Sequence, residues 1–449
     1  MTTVTYGPSK YVSFAFDNDG ALIVQSTRTG AIGVVPSDKA EDARKALLPG
    51  STVSNTSDGI LKDLKDGGFL VPSTMDEDQL VHDRYIKRYQ KNRLDLILMP
   101  TEQCNFRCVY CYESFIRGEM SPELVAGLHS FIAAEHRVNG LESLNVSWFG
   151  GEPLLAADLV LDTTRSLADY CRANGIASKF SATTNGYLLK PGYAEKVVQA
   201  GVRHFQITLD GTKHDHDKRR VDIDGAETFD VIMANLRHLK STDLDFTIML
   251  RHNFDPEGLR RLDDYIDMIQ REFSDDPRYT THFAAIGKWG GAKDDDLVVC
   301  EGRTGPQAIA HARGLAISAG FKVDLLENGL KPEGSICYAA DPRSFVIGSD
   351  GTVYKCTVEL DYHERNMVGK LHPDGTMDLD WRKLALWCET DGTDPGKKCN
   401  SCYFGGACHG AACPKEWMDE DDCHCPPSKQ VIRETLPLVR RNFAAGVQR

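Results

Sequence analysis

No stretch of 18 or more apolar residues occurs in this chain, and no apolar signal region opens it. Nothing marks it for membrane insertion or export, so the cytoplasm is its expected compartment. Basic charge is in deficit: 52 Lys and Arg against 65 Asp and Glu leave a net charge of −13. A nucleic-acid partner wants a basic surface and is not expected. Cysteine, by contrast, is plentiful, with 14 residues among 449. In a large intracellular chain that favours metal binding over disulfides. The distribution agrees: three cysteines fall at 104–111 and nine at 337–425, with only Cys171 and Cys300 outside. Apolar content of 41% and charged content of 26% describe a globular protein, long enough for two or three domains.

Cys104, Cys108 and Cys111 stand at C-x₃-C-x₂-C spacing after Leu94-Asp-Leu-Ile-Leu-Met99, which reads as a buried strand. They therefore lie on the loop at a strand's C-terminal end, where α/β barrels place their chemistry. Three thiols hold three irons of a 4Fe–4S cube and leave the fourth without a protein ligand, whereas a cluster that only carries electrons normally has four cysteines. A zinc knuckle needs four ligands, and no His or fourth Cys lies close by in sequence. One strand further on comes Phe149-Gly150-Gly151-Glu152-Pro153, where glycines allow close backbone approach and a carboxylate accepts charged hydrogen bonds.

These motifs resemble the radical S-adenosylmethionine (SAM) enzymes. Their C-x₃-C-x-aromatic-C signature puts Tyr110 in the aromatic slot, and their GGEP segment holds the amino group of SAM. The resemblance implies that Cys104, Cys108 and Cys111 ligate the reactive cluster, whose open iron binds SAM. It implies SAM contacts for Tyr110, Gly150, Gly151 and Glu152. Thr184 and Asn185 in Thr183-Thr-Asn-Gly186, and Asp210 in Thr208-Leu-Asp-Gly211, are further candidates, although glycine after a strand is also an ordinary turn. Arg219 or Arg220 would clamp the carboxylate bidentately, with Arg220 the candidate site residue. His214 and His216, two residues apart, do not share a helical face and read as solvated.

Strand-then-helix alternation over 94–290 gives six strands, at 94–99, 144–149, 180–184, 205–209, 246–250 and 282–286. The expected fold is α/β, and the resemblance implies the open (β/α)₆ partial barrel of the radical SAM family, which six strands match. Residues 1–75 read as a separate unit: strands at 11–16, 21–24 and 31–35, then helices at 39–48 and 60–64. That order resembles the winged-helix leader-recognition element of peptide-modifying radical SAM enzymes, where a leader peptide adds as a strand. A plain structural cap is the alternative. Residues 76–93 form a linker, and 291–330 an acidic bridge with a helix near 307–319.

From 331 to 449 periodicity fades, and a segment short of apolar area has to be ordered by something else, such as metal. Cys337, Gly351, Cys356, Cys399, Cys402, Cys408, Cys413 and Cys425 follow an order resembling the SPASM extension. One step departs from it: four residues separate Cys408 from Cys413 where the family has three. The resemblance implies two auxiliary 4Fe–4S clusters, one on Cys337, Cys356 and Cys413, the other on Cys399, Cys402, Cys408 and Cys425. Cys423 competes with Cys425, and Cys388 has no role. A zinc ribbon is the alternative. Cys171 reads as simply buried.

The implied function is a radical SAM/SPASM maturase. It would modify a ribosomally made precursor peptide, by a thioether or C–C crosslink, with electrons from a flavodoxin or ferredoxin. A formylglycine-generating enzyme ranks lower because Thr357 stands where that group has an aspartate. A non-catalytic electron-relay protein is the reading from another class.

Overall fold

The computed structural model describes all residues except 1–3, 55, 58, 91, 325, 327, 361–362, 390–391, 393–396, 421–422 and 448–449. The chain divides into two compact units. The first holds 1–89, 325–341 and 386–449, and the second holds 90–324 and 342–385. The stretch after residue 331 is thus shared between them.

In the first unit lie β1 (Tyr6–Pro8), β2 (Val12–Phe16), β3 (Leu22–Ser26), β4 (Ile32–Val35) and β5 (Leu70–Pro72). The order β2-β3-β4 is an antiparallel meander, and β1 pairs with β5. Gly20 and Gly30 supply the positive φ that the two hairpin turns need. β3 is buried along its whole length. Leu22 and Val24 pack with Ala40 and Ala43 of helix Ser37–Ala46 and Leu64 of helix Gly59–Asp66. Each large aliphatic side chain so buried contributes about 1.5–3 kcal/mol. The C-terminal helix Ile432–Val447 packs on β2 and β3.

The second unit contains β6 (Arg93–Leu98), β7 (Ser143–Trp148), β8 (Ala177–Thr184), β9 (Val202–Thr208), β10 (Thr247–Phe254) and β11 (Tyr279–Ala285). These are the six expected strands, all parallel and in sequence order. Crossover helices bury alternate strand residues, such as Leu94, Leu96 and Leu98 of β6. The other face is polar: Asn145 donates to Asp95 (2.6 Å), and the Ser147 and Ser181 hydroxyls meet at 2.8 Å. Helix Pro122–Asn139 starts where its cap is strongest, with Ser121 Oγ accepting from Leu124 N (3.2 Å) and Pro122 in the first turn.

A seventh parallel strand comes from the region where sequence periodicity fades. β12 (Ser344–Ile347) pairs with β6 and covers an edge that six strands would leave open. β13 (Thr352–Tyr354), β14 (Met367–Leu371) and β15 (Met377–Leu379) then extend the sheet antiparallel. Gly351, at φ 87°, makes the β12–β13 turn, where a Cβ would lie 2.5 Å from Leu371 O. Among the described residues no helix is long and apolar enough to cross a membrane.

Candidate active site

Loops at the C-terminal ends of β6 to β11, with the loop after β13, enclose a cavity of about 350 Å³. Cys104, Cys108 and Cys111 line it together with Tyr110, Gly150, Gly151, Thr184, Asn185 and Arg220. The cysteine loop is held by backbone bonds on both flanks. Arg107 N and Val109 N donate to Val221 O and Arg219 O (2.8 and 2.9 Å), and Ile223 N donates to Asn105 O (2.9 Å). On the other side Glu152 N donates to Gln103 O (2.9 Å). The glycines serve this contact: a Cβ on Gly151 would lie 2.3 Å from Gln103 O, and one on Gly150 2.5 Å from Thr101 O. Their close approach is to the cysteine loop's own backbone.

Glu152 is fully buried and is not among the lining residues. Its carboxylate accepts from Thr184 Oγ1 (2.7 Å), Asn185 N (2.7 Å) and Leu154 N (3.0 Å), which locks the loops after β7 and β8 together. Burial raises its pKa, against the opposing pull of those hydrogen bonds. Asp210 is likewise fully buried and outside the lining. It accepts from the Tyr110 hydroxyl and from Asn253 N (2.9 Å). Arg220 donates to Tyr110 Oη (2.8 Å), so the aromatic slot of the cysteine motif is tied to β9 and β10. Burial works against the Arg220 charge, but Cys108, Tyr110 and Asp210 hold its pKa well above the usual value. The two candidate arginines are thereby separated in role: Arg219 pairs with Asp255 (2.7 Å), and Arg220 lines the cavity.

Burial pushes the Cys104 and Cys111 thiols up to about 12 and raises Cys108 as well. Three such thiols in one cavity become thiolates when a metal takes the protons' place, and they fit three irons of a cluster. His216 corrects the reading of a solvated residue. Helix Lys213–Arg219 turns it inward, where Nδ1 accepts from Asp210 N (3.3 Å) and Nε2 meets Thr228 Oγ1 (3.2 Å). Burial, then Arg220 and His252, keep it neutral. His214 is exposed as expected. Sequence reasoning did not single out Asn105, Asn253 or Trp289. Asn105 bonds Asn185 (2.8 Å), Asn253 bonds Tyr110 (3.1 Å), and Trp289 and Asn253 line the cavity. Their position at or just beyond the C-terminal ends of strands was the available signal.

Of the remaining cysteines, Cys356 belongs to the second unit, buried, with Asn366 Oδ1 accepting from its N–H (2.9 Å). Cys337, Cys399, Cys402, Cys408, Cys413, Cys423 and Cys425 belong to the first. There Cys399 bonds Cys423 and also feels Cys408 and Cys402. Cys408, pushed up to about 12 by burial, feels Cys402 and Cys425. Both competitors for the last position are therefore near the group. Cys388 is buried, and its carbonyl accepts from Tyr89 Oη (3.3 Å) and Arg88, while Cys171 is buried in helix Ala157–Ala173.

A parallel sheet carrying three thiols over its C-terminal end, with a glycine loop beside them, defines an α/β protein with a thiol-lined cavity. Residues 98–266 match the model of the Radical SAM superfamily. Among curated proteins it is 25% identical over 54% of its length to Fe-coproporphyrin III synthase of Methanosarcina barkeri, and 27% identical over 45% to GTP 3′,8-cyclase of Campylobacter jejuni. These matches span 57% and 61% of those relatives' lengths. Mycofactocin maturase MftC of Mycolicibacterium smegmatis is 25% identical, over 69% of this chain and 75% of its own. Of solved structures, native anSMEcpe with bound AdoMet superposes with a TM-score of 0.58 at 18% identity, covering 79% of this chain and all of that one. That likeness concerns the fold.

Proposed function

We propose that this chain is a radical SAM maturase of the SPASM type acting on a ribosomally made peptide. The observation that carries the reading is that Cys104, Cys108 and Cys111 line one cavity beside Gly150 and Gly151, and no other cysteine lines it. Those three residues would hold a 4Fe–4S cluster, which when bound supplies the electron that cleaves SAM to a 5′-deoxyadenosyl radical. Around it, Gly150 and Gly151 present backbone, Thr184 and Asn185 close one wall, and Arg220 brings positive charge beside Cys108. Tyr110, fixed by Asp210, Asn253 and Arg220, keeps the cysteine loop in register. Glu152 acts as a positioning residue behind the lining.

The auxiliary clusters, on Cys337, Cys356 and Cys413 and on Cys399, Cys402, Cys408 and Cys425 or Cys423, would accept an electron or hold substrate. A flavodoxin or ferredoxin would be the donor, and a crosslink of thioether or C–C type the product. Anaerobic reconstitution with iron and sulfide followed by SAM and dithionite tests the core of this. 5′-Deoxyadenosine well above the buffer blank is expected, and none from fully loaded protein sinks the reading. Thr357 lines the cavity, and an aspartate there would have favoured formylglycine formation.

The leader would add to β4. Ser26 N donates to Ala31 O (2.9 Å), so by antiparallel alternation Ile32 and Val34 turn their N–H groups to the open edge. Val34 is half-exposed there. Val34→Pro, which spares the β3 ladder, is expected to weaken precursor binding about tenfold or more through lost main-chain bonds. Unchanged affinity in a titration of the folded variant removes this role from β4.

A further inference from the structure

Two cations of the barrel have no acid to pair with. Arg251 lines the reaction cavity, and its Nε donates only to Asn253 Oδ1 (2.8 Å). Arg313 stands on helix Thr304–Ser318, which packs on β11, and its Nε is buried without a hydrogen-bond partner. His282 is paired in register with Arg251 across β10 and β11, and its Nδ1 is buried and unpartnered too. Among the described residues no ion pair reaches either arginine. Burial, then Arg251 and Arg313, push His282 down to about 3, so its ring is neutral and offers an N–H. Burial brings Arg313 down to about 10, which leaves it charged at neutral pH.

A second cavity of about 370 Å³ shares Thr183 and Gln206 with the first, and Lys179 and Asp324 both line it. A buried guanidinium N–H without a partner is costly, and a guanidinium fork is shaped for a carboxylate. The cysteine and glycine loops follow β6 and β7, whereas Arg251 and His282 lie on β10 and β11, at the far edge of the parallel run.

We propose that Arg251, with Arg313 and His282, forms a carboxylate-binding subsite on the β10–β11 side of the reaction cavity, which selects peptides presenting a carboxylate next to the modified residue. This rests on the peptide-maturase reading, and the carboxylate comes either from an Asp or Glu side chain or from the peptide's own C-terminus.

The test uses full-length, cluster-reconstituted, SAM-loaded protein and three probes: acetyl-Gly-Glu-amide, acetyl-Gly-Ala with a free C-terminus, and acetyl-Gly-Gln-amide. At least one carboxylate probe is expected to bind tenfold more tightly than the glutamine peptide, and which one does so names the source. Arg251→Gln is expected to erase the preference and Arg251→Lys to keep part of it. The double variant Arg251→Glu with Arg313→Glu is expected to prefer acetyl-Gly-Lys-amide. Equal binding of all probes to the unmutated protein, or no binding of any, overturns the proposal whatever the variants do. So does an Arg251→Gln variant that weakens SAM as much as it weakens the carboxylate peptide. A batch that yields no 5′-deoxyadenosine with dithionite counts instead against the radical reading, a separate result.

Discussion

The loop bearing Cys104, Cys108 and Cys111 is laced to residues 219–223 on one flank and to Glu152 on the other by backbone hydrogen bonds of 2.8–2.9 Å. From Cys399 to Cys425 the described regular structure amounts to two short helices, Gly405–Cys408 and Pro414–Glu420. There the thiols act on one another across tight turns, with His409 at a positive φ of 49° between Cys408 and Gly410. The first loop has its conformation fixed by protein–protein bonds before any metal arrives. The second is tied by backbone bonds from Glu333, Ser335 and Cys337 to residues 406–411 (2.9–3.0 Å), with two short helices and no strand of its own to offset the entropy of ordering the rest. Where protein bonds alone fix a ligand loop, a metal adds chemistry; where less regular structure does so, it adds folding free energy too.

The largest effects should separate the two regions. Cys108→Ala is expected to drop 5′-deoxyadenosine formation to the blank while shifting the melting temperature little, because the 105–109 and 219–223 bonds survive it. Cys408→Ala is expected to expose 399–425 to limited proteolysis and to lower the melting transition by several degrees. Comparable unfolding of both variants would break the contrast, since the barrel loop would then depend on its metal as much as the other does.

How much of this could be read from residues alone follows the same division. The six parallel strands and the cysteine loop were legible because apolar runs, turn glycines and thiol spacing are local signals. β12 was not, because Ser344–Ile347 is four residues long and its pairing with β6 spans about 250 positions. His216 was misjudged because its burial follows from Asp210 N and Thr228, contacts made only once the loop after β9 closes. The GGEP motif aims the Glu152 carboxylate at a ligand. The structure turns that group onto three protein donors.

That difference gives the middle-sized prediction, on the barrel side. Glu152→Gln places an amide NH₂ among donors that need an acceptor, which costs about 1–3 kcal/mol. Burial raises the folded pKa of Glu152 above its ordinary 4.5, so the folded state keeps a proton that the unfolded chain has lost. The Glu152 contribution to stability therefore falls as pH rises from about 4.5 through the folded pKa. Urea titrations from pH 4 to 8 should show that slope in the unmutated protein and a flatter profile in the glutamine variant. Identical slopes would mean that the three hydrogen bonds, not burial, govern this carboxylate.

The smallest effect sharpens the comparison from the other side. Lys429 Nζ lies 3.1 Å from Cys425 Sγ and also bonds Cys402. Burial disfavours its charge, but these thiols more than restore it and raise its pKa. An ammonium beside the ligands of an iron–sulfur cluster stabilises the more negative, reduced form and raises the potential. On the proposed reading, in which Cys402 and Cys425 ligate an auxiliary cluster, Lys429→Met should therefore move that cluster's midpoint to a more negative value in an EPR-monitored redox titration, with Lys429→Arg staying near the original. The barrel cluster's midpoint should hold in both, because its neighbouring cation is Arg220, buried beside Cys108 and untouched by either change. A midpoint that moves for the barrel cluster instead, or for neither, would mean that Lys429 serves only to pack this cysteine-rich segment.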